Sequence, residues 1–330
     1  MRSLAICILG GTGFVGTRLA ARLSKAGHRV TVLSRDREQH KQLRVLPGVA
    51  LENCDVYDPA LLAERFRGHE VVINLIGILN ESGFGGAGFR RAHTELTRGA
   101  LQAANSAGVQ RLVHMSALGA DPAGPSYYLR SKGEAERMIS AECRRVDWTI
   151  LRPSVIFGPG DSFLNRFASL LQAIPLALPL ARPGARMQPV YVDDVIEALV
   201  RCLPGGACSR RILQLGGPKI YTLRQIVAFV AGATGHRRAI IGLPDLLARL
   251  QALVMNFVPG RPFSSDNYRS LTVDSICTAD GFAELGIRPQ AMEGAARQYL
   301  GAFEDNARLS RDRRLAGRTG SPRRTGSPQR

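Results

Sequence analysis

Tyr128 and Lys132 stand four residues apart, so on a helix they share one face. An ammonium beside a phenol lowers its pKa and can also hold a ribose. A tyrosinate made in this way gives or takes the proton that accompanies a hydride transfer. Ser116, closing the apolar run Leu112-Val113-His114-Met115, is the candidate that polarises a carbonyl oxygen. Upstream, Gly10-Gly11-Thr12-Gly13-Phe14-Val15-Gly16 lies between six apolar residues at 4–9 and an amphipathic stretch at 14–26. Gly10 suits the tight turn, Gly13 the approach of a pyrophosphate to the backbone, and Gly16 the packing of helix on strand. The phosphates would sit on the helix N-terminus, where free N–H groups and the positive dipole end favour an anion.

A second strand ends in Val30-Thr31-Val32-Leu33-Ser34-Arg35-Asp36-Arg37. A carboxylate at this distance from the glycines would bind both ribose hydroxyls of NAD, but Ser34 stands there. Arg35, with Arg37 near it, suits the 2′-phosphate of NADP, which a guanidinium holds through two hydrogen bonds. NADP(H) is therefore expected over NAD(H), with Asp36 as the residue that a small shift of the strand end would bring to the ribose.

Apolar strands are expected near 3–9, 29–34, 49–54, 70–76, 111–116 and 147–152. They alternate with helical patterns at 59–66, 89–107 and 131–143. That alternation predicts an α/β fold, a doubly wound parallel sheet with helices on both faces and ligands at the carboxyl ends of its strands. After Arg152 the pattern loosens. Helices are expected at 193–203, 222–233, 244–257 and 291–303, with strand pieces at 187–192 and 211–215 returning to the sheet. The organisation read from this is a nucleotide-binding domain at 1–152, a smaller and mostly helical substrate or partner lobe at 153–303, and a disordered basic tail at 304–330.

Composition bounds the function. The chain has 330 residues, 45% hydrophobic and 22% charged, and a formal charge of +17. Eight arginines against one aspartate fall between Arg308 and Arg330, where Arg-Thr-Gly-Ser-Pro repeats at 318–322 and 324–328 with almost nothing apolar to bury. This segment reads either as a solvated, idle tail or as one that binds an anionic lipid surface or nucleic acid through its charge; it has no aromatic residue to stack on a base, so specific nucleic-acid binding is not expected. No apolar run reaches the roughly 18 residues that span a bilayer, and no secretory signal precedes the first strand. The six cysteines form no CxxC pair and no histidine lies at ligand spacing, which reads as reduced thiols in a cytoplasmic protein without a metal.

Taken together, these motifs resemble the short-chain dehydrogenase/reductase superfamily, in its extended or atypical branch, which has a Rossmann fold. The likeness rests on the glycine motif at 10–16, Cys54-Asp55-Val56 where the family contacts adenine, Asn74-Leu75-Ile76-Gly77 after the fourth strand, Tyr128 with Lys132, and Leu151-Arg152-Pro153 before the substrate lobe. The chain is most similar to the nucleotide-holding accessory subunits of respiratory complex I and their bacterial relatives. That narrower likeness rests on His93-Thr94-Glu95, the run at 114–121, the run at 128–134, Gln188-Pro189-Val190-Tyr191-Val192-Asp193-Asp194-Val195, and Leu285-Gly286-Ile287-Arg288-Pro289.

The resemblance implies a cofactor contact set of Gly10, Thr12, Gly13, Phe14, Val15, Gly16, Arg35, Asp55, Val56, Leu75, Ile76, Gly77, Lys132 and Pro153, and a catalytic set of Tyr128, Lys132 and Ser116. It also implies a tightly held NADPH with a structural or assembly role, or a link to ubiquinone biosynthesis. The partners would then be a quinone or quinone precursor and a respiratory-chain or quinone-synthesis complex. Active reduction of a quinone-related carbonyl and sugar-nucleotide epimerase or dehydratase chemistry remain as alternatives. Ala117 and Leu118 follow Ser116 where active relatives carry further hydroxyls, and His93 stands where the superfamily often has an Asn of the proton relay. Two readings of His93 stand, a proton relay and a helix-packing histidine bonded to a backbone carbonyl.

At 244–258, Leu246, Leu247, Leu250, Leu253, Val254 and Phe257 repeat at helical spacing. Such a stripe is expected to pack on the protein's own core. The alternative is a helix on a membrane or beside a lipid-tail channel, with the protein peripheral at the inner face of the cytoplasmic membrane.

Overall fold

The computed structural model describes residues 2–81, 83–143, 145–204, 208–258 and 263–301. Strand β1 (Ala5–Leu9) is buried along its whole length, because an unbroken apolar strand is stable only when both faces are covered. It pairs in parallel with β2 (Arg29–Ser34) on one side and β4 (Val71–Asn74) on the other. Strand β3 (Val49–Asn53) extends the first side, and β5 (Arg111–Met115) and β6 (Asp147–Pro153) extend the second.

Short strands follow: β7 (Ile156–Phe157), β8 (Ala177–Leu180), β9 (Arg186–Met187) and β10 (Val190–Tyr191). Next comes β11 (Arg211–Leu215), which pairs in parallel with β6 and completes the order β11-β6-β5-β4-β1-β2-β3. The last are β12 (Tyr221–Thr222) and β13 (Ala239–Gly242). The strand order reverses between β1 and β4, and such a reversal opens a crevice at the carboxyl edge. Leu9 is in register with both Leu33 and Asn74, so Gly10, Ser34 and Leu75 all emerge at that edge.

Helices cover the two faces. On one, Leu19 and Leu23 of α1 (Phe14–Lys25) and, from beyond residue 190, Val195 and Leu199 pack with Ile6, Ile8, Val30 and Val32. On the other, α2 (Pro59–Phe66) brings Leu62 and Phe66 against Cys7 and Leu9. A short turn α3 (Ala87–Phe89) runs through a π-helical turn at Arg90–Glu95 into α4 (Leu96–Ala107) on that face. The stretch expected as one helix from 89 thus carries a bulge of the kind often found at functional sites.

Helix α5 (Tyr127–Glu142) begins four residues earlier than the pattern at 131–143 indicates, because the Ser126 hydroxyl accepts from the Leu129 N–H at 3.2 Å and caps it. A further apolar cluster gathers α6 (Leu164–Ala173), which the sequence pattern did not reveal, with α8 (Leu223–Ala233) and a last helix over 292–301. Between them, α7 (Val192–Arg201) carries the Val195 and Leu199 named above.

Two expectations are corrected here. The run at 187–192 does not return to the large sheet: Pro189 has no N–H for a ladder, and the run splits into β9, paired with β12, and β10, paired with β7. The leucine stripe of α9 (Asp245–Met255) is not core either. Its packed side is the alanine side, Ala248 and Ala252 against Ala181 and Tyr268, while Leu246 and Phe257 are 78% and 73% exposed. Small residues at four-residue spacing allow close helix approach and leave the larger ones outside. The strand at 211–215 does rejoin the sheet as β11. The basic tail at 304–330 lies outside the described residues. All six cysteines are free thiols.

Candidate functional site

The glycine turn leaves β1 with Gly10 at φ +76°, and the Gly13 N–H closes it onto the Gly10 carbonyl at 3.1 Å. Gly16 allows the helix to lie on the turn, since a Cβ there would stand 2.3 Å from the Gly10 carbonyl oxygen and 2.5 Å from Gly11 Cα. Gly13 differs. A Cβ on it would meet only the Gly10 oxygen, at 3.4 Å, and is otherwise directed into open space. Gly13 is also the N-cap of α1, no side chain caps that helix, and its first turn has no acidic residue. The first-turn N–H groups are therefore presented without a competing carboxylate, which fits a diphosphate. The Leu75-Ile76-Gly77 segment closes the other side: the Leu75 N–H donates to the Leu9 carbonyl at 2.9 Å, and a Gly10 Cβ would lie 3.0 Å from the Ile76 nitrogen. Phe14 and Val15 are half-buried beneath the turn, with Thr12 on its rim.

Beyond β2, the Ser34 hydroxyl is turned into the backbone of Asp36. The Asp36 carboxylate accepts from the Glu38 N–H at 3.0 Å and from Gln39 at 2.8 Å, so it starts the following 3-10 turn and is occupied there. Arg37 pairs with Glu38. Arg35 is exposed and has no hydrogen bond or ion pair among the described residues; it lines a cleft of about 660 Å³ with Asn53, Cys54, Asp55, Tyr57, Leu61, Ile78, Gly88, Arg91 and Ala92. Val56 is buried in the core and does not line that cleft. Pro153 ends β6 beneath the loop from β5, its carbonyl accepting from the Leu118 N–H at 3.0 Å.

The structure gathers Lys132, His93 and Gly77 at the ends of β4 and β5. Lys132 Nζ donates to the Met115 carbonyl at 2.8 Å, and a Cβ on Gly77 would be 3.3 Å from that ammonium. Burial lowers the Lys132 pKa to about 8, with Glu136, one turn along α5, acting in the opposite sense. His93 Nε2 accepts from the Ile78 N–H at 3.1 Å, which puts the ring proton on Nδ1 facing the Ser131 hydroxyl at 2.8 Å; that hydroxyl donates in turn to the Tyr128 carbonyl at 2.9 Å. Burial, then the Lys132 charge, takes the His93 pKa down to about 2. His93 is thus a neutral packing histidine with both nitrogens engaged, and it bonds a backbone amide rather than a carbonyl.

The ring of Tyr128 sits edge-on to His93 and Phe89, with centroids 5.5 and 6.0 Å away. The phenol is not lowered by Lys132, as the helical spacing suggests it should be. Burial pushes it up to about 12. The Ser116 hydroxyl is buried with no hydrogen-bond partner among the described residues, and His114 Nε2, two residues back on the same side of β5, likewise has none among them. A buried hydroxyl without a partner is costly, and a ligand oxygen would satisfy it.

Sequence reasoning missed two residues. Asp266 reaches from α10 (Ser265–Ser270) to the start of α5, where its carboxylate accepts from the N–H groups of Tyr127 at 2.7 Å and Tyr128 at 3.1 Å. Nothing at position 266 signals a partner 138 residues upstream. Arg91, in the π-helical turn, lies with its guanidinium 4.4 Å over the Tyr57 ring. Its neighbour Arg90 pairs with Glu95.

Residues 10–161 match the family model described as NAD(P)H-binding. The chain is 30% identical over 296 residues to NADH dehydrogenase (ubiquinone) 1 alpha subcomplex subunit 9 of Mus musculus, covering 87% of this chain and 77% of that protein. This chain belongs to the complex I subunit 9 family. The subunit 9 of Arabidopsis thaliana is 28% identical over 311 residues, covering 89% of this chain and 76% of its own length. Among solved structures, the dTDP-glucose 4,6-dehydratase DesIV of Streptomyces venezuelae, with NAD bound, shares the fold at a TM-score of 0.72 and 21% identity, over 93% of this chain and 98% of that one. The chain thus shares the fold of that dehydratase, with the glycine turn at the start of the NAD(P)H-binding match and Asp161 at its end.

Proposed function

We propose that the chain holds NADP(H) as a fixed structural cofactor within a respiratory-chain or quinone-synthesis complex. The observation that carries this reading is the commitment of the proton-handling side chains. Lys132 is tied to a carbonyl, His93 is bonded at both nitrogens, and the Tyr128 phenol is raised by burial. The uncapped helix and the space over Gly13 support a bound diphosphate, with Gly10, Thr12, Gly16 and Leu75–Gly77 around it. Arg35, with Asp36 already occupied, supports the 2′-phosphate form. The names of the relatives, subunits of NADH:ubiquinone oxidoreductase, support a respiratory assembly and a quinone or quinone precursor as the ligand class.

The exposed face of α9 supports peripheral membrane contact. Leu250, Leu253, Val254 and Phe257 are all more than half exposed, and Phe257 continues the patch to Phe84, 5.8 Å away between ring centroids. Among the described residues, no helix is long and apolar enough to cross a membrane.

The Ser116 hydroxyl, without a partner among the described residues, favours a second reading, an active reductase of a quinone-related carbonyl. When bound, the nicotinamide supplies hydride. Ser116 then donates to the substrate oxygen, Tyr128 holds the proton that oxygen takes, and Lys132 carries the ribose. One pair of measurements decides. The protein is purified and its retained nucleotide identified by mass spectrometry, and NADPH oxidation is followed with a short-chain quinone for wild type and Tyr128→Phe. We expect retained NADPH and no sustained oxidation by either. Multiple turnover by wild type that Tyr128→Phe abolishes would overturn the structural reading in favour of the enzymic one.

A further inference from the structure

We infer that Arg91 is a second contact for the phosphate on the adenosine ribose and sets the preference for NADP(H) together with Arg35. This rests on the NADP(H) reading above and adds to it a residue from a different part of the chain. Arg35 follows β2 and Arg91 rises from the π-helical turn, yet both line one cleft with Asn53, Asp55 and Tyr57.

The pairing pattern around the cleft is selective. Arg37 and Arg44 pair with Glu38, Arg65 with Glu52 and Arg90 with Glu95, at 3.2 to 3.6 Å. Arg35 and Arg91, the two guanidiniums that line the cleft, have no carboxylate partner among the described residues. Two like charges in one cleft repel each other, and a dianion removes that penalty while gaining both attractions.

A cation–π contact prepares Arg91 for the task. Its guanidinium carbon lies 4.4 Å from the centre of the Tyr57 ring, and the Tyr57 N–H is fixed on Asp55 Oδ1 at 3.0 Å. A guanidinium uses its face in a cation–π contact and its in-plane N–H groups in hydrogen bonds, so the contact orients the fork and leaves the donors free for phosphate oxygens. The same hydrogen bond turns Asp55, the acid lining this cleft, toward the backbone.

The test is calorimetric titration of the full chain, freed of nucleotide, with NADP⁺, NAD⁺, 2′-AMP and 5′-AMP, for wild type, Arg35→Ala, Arg91→Ala and the double variant. Arg91 is exposed, and an unchanged melting temperature checks that its variant folds. Loss of one charge-assisted contact should weaken NADP⁺ and 2′-AMP by about tenfold while NAD⁺ and 5′-AMP stay within about twofold, and the double variant should bind both dinucleotides equally. Equal losses for NADP⁺ and NAD⁺ in Arg91→Ala would overturn the assignment, because they would put Arg91 on the adenine. An unchanged NADP⁺ affinity in Arg91→Ala would overturn it too. Preference of wild type for NAD⁺ would instead remove the NADP(H) reading beneath it.

Discussion

The turn after β1 and the cluster after β5 lie at the same edge of one sheet, and they treat their polar groups in opposite ways. Around Gly13 the backbone N–H groups are left uncapped and the space in front of them is open. Around Lys132 the ammonium, the imidazole and the Ser131 hydroxyl are each engaged with the protein's own backbone or with one another. One region is built to receive something; the other is largely satisfied before anything arrives. A protein that keeps a nucleotide without turning it over needs the first property more than the second.

The largest effect should come from Gly16→Val, whose Cβ would fall within 2.6 Å of backbone at Gly10 and Gly11. Backbone cannot yield as a side chain tip does, so we expect a loss of about 3 kcal/mol or more in urea unfolding. Gly13→Val sharpens the contrast. Its Cβ meets only an ordinary contact, so the nucleotide-free protein should unfold within about 1 kcal/mol of wild type, while dinucleotide affinity falls on the order of a hundredfold as the valine fills the diphosphate space. A Gly13→Val protein that binds normally would break the comparison at its open end.

The committed end is tested by pH. Lys132 is lowered from its ordinary value to about 8, so between pH 8 and 10.5 the unfolded chain holds a proton that the folded chain has released. Stability should therefore rise with pH across that window and be lost again as pH falls toward 8. Comparison of urea unfolding at pH 7.5 and 9.5 should show a gain of about 1 to 2 kcal/mol in wild type that is absent in Lys132→Met. Tyr128 works in the reverse sense, removing stability above pH 10 because its folded form keeps its proton up to about 12. The smallest effect is Ser131→Ala. It leaves the His93 Nδ1–H without its acceptor and should cost about 1 kcal/mol with no change in dinucleotide affinity.

The sheet was legible where its strands are apolar on both faces, as in β1 and β4, which stand out from the polar turns around them; β11, with Arg211 and Ile212 exposed, shows only a short apolar run. What escaped detection was set by contacts, not by pattern. The stripe of α9 has the periodicity of a core helix, yet Ala248 and Ala252 make the contact, and periodicity does not say which side of a helix is chosen. Helix α6 ends at Ala173, just before Pro175, and no helical pattern was read over its residues. At the site, residue types showed that Gly10, Gly13, Gly16, Tyr128 and Lys132 belong together, but the destination of the Lys132 ammonium depends on the Met115 carbonyl, which every residue has. Asp266 could not be read at all, since its partners are main-chain N–H groups.

That last contact has a consequence for how the protein is made. The start of α5 is held by Asp266 and by the Ser270 hydroxyl on Ser126 at 2.8 Å, across 139 and 144 residues of chain. While the polypeptide is being synthesised, the first six strands can pair early, but the turn carrying Tyr128 has to wait for residues near 270 to emerge. The nucleotide end is therefore assembled well before the Tyr128 end is fixed. A chain interrupted before 266 would keep its glycine turn while leaving the amides of Tyr127 and Tyr128 to water.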